Sequence, residues 1–126
     1  MTAPMPLVLV VDDDDSIREI AQLSLELVGG WQVLAAGGGA SALEQAAEHR
    51  PHAILLDVMM PVMDGIETFH RLRADERTQH IPVILVTAKR QADEHQVWDG
   101  LPIAGVIPKP FDPMTLAQQV SALLDW

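Results

Sequence analysis

Short apolar runs alternate along this chain with segments whose apolar residues recur at helical spacing. Leu7 to Val11 is a continuous apolar run, the mark of a strand buried on both faces, and it ends in Asp12-Asp13-Asp14-Asp15-Ser16. The helix predicted next carries Ile17, Ile20, Ala21, Leu27 and Val28 on one face, with Ser24 in the stripe. Asp14, Asp15 or Ser16 would cap it, and Gly29-Gly30 would stop it. Trp31 to Ala36 reads as a second strand, Gly37-Gly38-Gly39 as a loop, and Ala40 to His49 as a helix with Leu43, Ala46 and Ala47 inward. Ala53 to Leu56 is the third strand, and Asp64 to Arg73 the third helix, with Ile66, Phe69 and Leu72 at helical spacing. Pro82 to Val86 is the fourth strand, ending at Thr87. Lys89 to Trp98 is a weak, mostly polar helix broken by Gly100. Ile103 to Ile107 is the fifth strand. Asp112 is expected to cap a last helix that buries Leu116, Ala117, Val120, Leu123 and Leu124, with Pro113 at its first position.

Strands that alternate with helices imply a parallel sheet covered on both faces, an α/β fold of one domain over residues 1–126. In a parallel sheet the carboxyl ends of the strands share one edge, which is where open α/β folds bind ligands. Asp12-Asp13, Asp57, Thr87 and Lys109 all fall there. The stretch from Ile54 to Gly65 organises the rest, because a buried strand there opens on a carboxylate, Asp57, a candidate nucleophile or metal ligand.

Composition narrows the partners. The formal net charge is −10, from 18 acidic and 8 basic residues. Direct nucleic-acid binding is not expected, since phosphate contacts need clustered Lys and Arg. No apolar run reaches the roughly 18 residues of a membrane span, and the N-terminus is not a secretory signal. The chain has no cysteine, which excludes disulfide and thiol chemistry and fits a cytoplasmic protein.

The strand ends pose an electrostatic problem. At about 4 Å and an effective dielectric near 20, one carboxylate pair costs on the order of 4 kcal/mol. Something cationic should sit among Asp12, Asp13 and Asp57. Hard carboxylate oxygens with room for a phosphate suit Mg²⁺, and Lys109 would add a fixed positive charge. The Thr87 hydroxyl would donate a hydrogen bond. These are the parts that phosphoryl transfer needs, and a carboxylate can itself accept the group as an acyl phosphate.

With these residues in place, the chain resembles the receiver domain of two-component response regulators over essentially all of its length. The motifs are Val10-Val11-Asp12-Asp13 with Ser16-Ile17-Arg18-Glu19, Leu55-Leu56-Asp57 through Asp64-Gly65, Val86-Thr87-Ala88, and Lys109-Pro110-Phe111. The resemblance implies a flavodoxin-like, doubly wound five-stranded sheet of strand order 2-1-3-4-5. It implies that Asp57 takes a phosphoryl group from a sensor histidine kinase or phosphotransfer protein. It further implies that Asp13 binds Mg²⁺ directly and Asp12 through water, with the Met59 backbone carbonyl as a further ligand. Thr87 would move to bond the phosphoryl group, Lys109 would pair with it, small Ala88 would leave access, and the Lys109-Pro110 bond would be cis. Such a chain is a phosphorelay switch rather than an enzyme acting on a separate substrate, stand-alone, and read by a downstream protein that the sequence does not identify.

One position departs from the family. An aromatic usually stands three residues before the lysine, and here it is Val106. The expectation is a weaker coupling between phosphorylation and the face formed by the fourth helix, the fifth strand and the last helix. Two other readings compete. Asp12-Asp13-Asp14-Asp15-Ser16 loosely resembles the motif of haloacid-dehalogenase-type phosphatases, with Asp12 as nucleophile and Asp14 as acid/base, but this leaves the Asp57 stretch unexplained. An unphosphorylated pseudo-receiver would not need the complete set of acids, hydroxyl and lysine. Gly37-Gly38-Gly39 lacks the spacing of a dinucleotide loop. His49, His52, His70 and His80 lack metal-ligand spacing and are expected at the surface, while Trp98 reads as a half-buried packing residue.

Overall fold

Two strands, β1 (Leu7–Val11) and β3 (Ala53–Asp57), form the centre of the sheet and are almost wholly buried. The structure is a computed structural model that describes residues 5–88, 98 and 100–126. Around these strands stand β2 (Gln32–Ala36), β4 (Val83–Ala88) and β5 (Gly105–Lys109). All pairings are parallel, and the order is β2-β1-β3-β4-β5. The expected topology therefore holds. The predicted helix at Lys89 to Trp98 lies outside the described residues except for Trp98, which packs in the core as expected but is buried more fully than half.

Alternate side chains along a strand point to opposite faces, so each central strand feeds two cores. On one face Leu9, Val11, Ile54, Leu56 and Leu85 pack with Ala42 and Ala46 of α2 (Gly39–His49) and with Phe69 and Leu72 of α3 (Gly65–Ala74). On the other, Val8, Val10, Leu55, Ile84 and Ile107 pack with Ala21 and Leu25 of α1 (Asp15–Leu27) and with Leu116, Ala117 and Val120 of α4 (Leu116–Leu124). This two-sided burial is why β1 and β3 are continuous apolar runs instead of alternating ones.

The structure corrects several elements. Leu25 of α1 is fully buried, whereas Ile20, Leu27 and Val28 of the expected stripe are exposed. The helix is apolar on most sides, so the sheet and α4, not the count of apolar residues, choose the face. Asp14 is the cap of α1, accepting the Ser16 and Ile17 N–H groups. Beyond α1, Gly30 adopts φ +73, the left-handed backbone that ends a helix at little cost to glycine. Leu123 of α4 is partly exposed, and α4 starts later than expected: Asp112 accepts the Met114 N–H in a turn that precedes the helix. β5 begins at Gly105 and runs through Pro108 to Lys109. Proline is tolerable there because β5 is an edge strand, where one side has no ladder to feed.

Candidate functional site

The chain reverses its direction of strand addition between β1 and β3, so the crevice at their carboxyl ends is the topological switch point. Asp12 follows the last residue of β1, and Asp57 is the last residue of β3. Thr87 is the penultimate residue of β4, opposite Pro108, and Lys109 ends β5 opposite Ala88. The sheet register thus gathers residues separated by up to 97 positions in sequence.

The Lys109 ammonium donates to Asp12 Oδ2 at 2.8 Å and to Asp57 Oδ1 at 3.1 Å. One carboxylate oxygen from each of Asp12, Asp13 and Asp57 lies within 4.8 Å of the others. Asp12, Asp57 and Thr87 are buried, whereas Asp13 faces solvent. The Asp12 Oδ1 atom also accepts the Asp14 N–H at 2.9 Å. Met59 stands two residues beyond Asp57 with an exposed side chain, and its N–H donates to the Asp57 carboxylate. Val106 is partly buried in β5, paired with Leu85. The Lys109-Pro110 peptide is cis, as the resemblance implied.

Burial, with the neighbouring Asp12 charge, raises the Asp57 carboxyl from 3.8 to about 6, against the opposing pull of Lys109. Burial alone would lower the Lys109 ammonium, but its bond to Asp12 and the Asp57 charge outweigh that and raise it. Asp57 therefore stays ionised at neutral pH while being more basic than an ordinary carboxylate. That suits a nucleophile held next to a fixed cation.

The helix after Asp57 is held close by the Asp64-Gly65 pair. Asp64 caps α3 by accepting the Glu67 N–H at 2.8 Å, and the Gly65 N–H donates to the Val58 carbonyl at 2.9 Å. A Cβ at Gly65 would stand 2.3 Å from the Asp57 carbonyl oxygen, so only glycine allows this approach. The histidines named above are all exposed; His52 accepts the Leu7 N–H at 2.9 Å through Nδ1, a structural role. Reading the sequence missed Arg18, whose guanidinium reaches the Asp12 carbonyl at 2.8 Å. Its position six residues beyond Asp12, on the first turn of the following helix, was the available signal.

Comparison with known proteins agrees with this geometry. The sequence pattern of the response regulator receiver domain matches residues 8–121. The chain is 38% identical over 121 residues to the DNA-binding dual master transcriptional regulator RpaA of Synechocystis sp., covering 95% of this chain and 49% of that protein. It is 43% identical over 119 residues to the transcriptional regulatory protein CseB of Streptomyces coelicolor, covering 93% of this chain and 48% of that one. The chain thus spans about half the length of the curated relatives it matches. Among solved structures, the chemotaxis response regulator CheY4 of Vibrio cholerae superimposes with a TM-score of 0.85 at 32% identity, covering 94% of this chain and 98% of that one. Among the described residues, no helix is long and apolar enough to cross a membrane.

Proposed function

Since the chain belongs to the response regulator receiver domain family of two-component signalling, we propose that it is a phosphorylation-controlled switch whose phosphoacceptor is Asp57. The observation that carries this reading is the Lys109 ammonium bonded to Asp12 and Asp57 together, with an Asp13 oxygen in the same cluster. The phosphodonor is a phosphohistidine on a sensor kinase or phosphotransfer protein. A carboxylate oxygen of Asp57 attacks the phosphorus in line. The P–O bond forms as the P–N bond breaks, and the leaving imidazole keeps the electron pair and takes up a proton. Lys109 holds positive charge against the transferred oxygens, and the buried Thr87 hydroxyl is the donor that moves to meet them.

The donor set fits Mg²⁺: three hard carboxylates, one of them solvent-facing, leave positions for water and phosphate. Asp13 would bind the ion directly, Asp12 through water, and Asp57 and the Met59 carbonyl would complete the protein's share. When bound, Mg²⁺ supplies charge neutralisation at the phosphoryl oxygens. The switch reports to a downstream protein. A shallow apolar hollow of about 380 Å³ beside Lys109, lined by Ile17, Ile20, Phe111 and Pro113, supports docking by a protein partner.

Intact-mass measurement after incubation with acetyl phosphate and Mg²⁺ tests the proposal. The wild type should gain one phosphoryl group and Asp57→Asn none. Labelling of Asp57→Asn together with silence of Asp12→Asn would transfer the nucleophile to Asp12 and favour the phosphatase-like reading.

A further inference from the structure

We propose that Arg18 is a positioning residue for the acidic pair, acting through the peptide that joins Asp12 to Asp13; this rests on the Mg²⁺ reading above. Ladder pairing of β1 with β2 ends at Val11 opposite Ala36. One step further, the Asp12 N–H still donates to the Ala36 carbonyl at 3.1 Å, but the Asp12 carbonyl lies past the last paired residue of its strand. Arg18 Nη1 meets that carbonyl at 2.8 Å. Its other arm, Nη2, pairs with Asp15 on the first turn of α1. The same guanidinium packs against the turn after β2, where a Cβ at Gly37 would lie 3.4 Å from Nη1. One side chain therefore ties the end of β1 to the start of α1, close beside the β2–α2 turn.

The consequence falls on Asp13. A peptide is planar, so pinning the Asp12 carbonyl also fixes the direction in which the chain enters Asp13. Asp12 itself is over-determined: its N–H, its carbonyl and both carboxylate oxygens have partners. Among the described residues none bonds to the exposed Asp13 carboxylate, so its aim depends on its backbone. Arg18 fixes that backbone on one side of Asp13, and the Asp14 N–H bond to Asp12 Oδ1 fixes it on the other. The bidentate, planar fork of Arg18 is what lysine lacks.

Calorimetric titration with MgCl₂ and acetyl-phosphate labelling at graded Mg²⁺ test this. Loss of an outer-shell partner typically costs about tenfold or more in metal affinity. Arg18→Gln should raise the half-saturating Mg²⁺ concentration by that factor, with the labelling rate at saturating Mg²⁺ changed by less than about twofold. Arg18→Lys, which keeps the charge, should also bind Mg²⁺ more weakly than wild type. In magnesium-free buffer, amide exchange at Asp14, Ser16 and Ile17 should be faster in Arg18→Gln. Unchanged or tighter Mg²⁺ binding in Arg18→Gln would overturn the inference, as would a wild-type affinity in Arg18→Lys. If wild-type protein binds no Mg²⁺, the metal reading falls instead; exchange rates then decide on Arg18 alone, and rates equal to wild type reject it.

Discussion

Ionised Asp57 should cost the metal-free protein stability, and removing its charge should return it. The Asp57 carboxyl titrates at about 6 in the folded chain against an ordinary 3.8, raised by burial and by the Asp12 charge. Between about pH 4 and pH 6 the folded protein keeps a proton that the unfolded chain has released. The folded state then binds more protons, so stability falls as pH rises through this window. At roughly 1.4 kcal/mol per pKa unit the full effect is about 3 kcal/mol, and it is complete above about pH 7. Asn has the shape of protonated Asp and retains an oxygen for the Lys109 ammonium. Asp57→Asn should therefore be more stable than wild type by about 3 kcal/mol at pH 8 in EDTA, or about 10 °C in Tm. At pH 4 the gap should shrink below about 1 kcal/mol. Urea unfolding at several pH values, with equal m-values for the two proteins, measures it. A gap that does not vary with pH, or an Asn variant less stable at pH 8, would refute the assignment of strain to this carboxylate.

Three further outcomes follow from the same geometry. Millimolar Mg²⁺ should raise the wild-type Tm, because the ion binds only the folded cluster, by about 2.7 kcal/mol of stability at a hundredfold excess over Kd; Asp13→Asn should lose most of the rise in thermal melts. Gly65→Ala places a Cβ 2.3 Å from the Asp57 carbonyl oxygen, so α3 must shift. We expect a loss of roughly 1–3 kcal/mol by urea unfolding and slower acetyl-phosphate labelling of Asp57, and a wild-type labelling rate would contradict the close approach. With Val106 where the family carries an aromatic, beryllofluoride should perturb amide shifts around Asp57 more than those along β5 and α4; a large response confined to the latter face would count against the weakened coupling.

Some of this was legible residue by residue. Leu7–Val11 and Ala53–Asp57 announce themselves, since a central parallel strand must be apolar on both sides. Asp64 before Gly65 gives away the start of α3, because capping is local chemistry. The need for positive charge among Asp12, Asp13 and Asp57 followed from Coulomb repulsion, and Lys109 supplies part of it between Asp12 and Asp57. Other features were not legible. α1 has apolar residues on too many sides for periodicity to tell Leu25 from Leu27. The strand expected over Ile103 to Ile107 stops short of Pro108, whereas β5 runs on through it to Lys109 because it is an edge strand, paired only with β4. Arg18 carries no motif of its own; its bond to the Asp12 carbonyl exists only after the turn closes.

By itself, then, the sequence determined the alternation of elements, the inventory of acids, hydroxyl and amine, and the strand ends on which they fall. These depend on local patterning and on neighbours a few residues away. Tertiary structure alone decided which face of α1 is buried, where β5 begins and ends, and how far apart the reactive atoms stand. Those outcomes are set by pairing and packing between segments as distant as Asp12 and Lys109, 97 residues apart. No local preference encodes the 2.8 and 3.1 Å contacts that join one ammonium to two carboxylates.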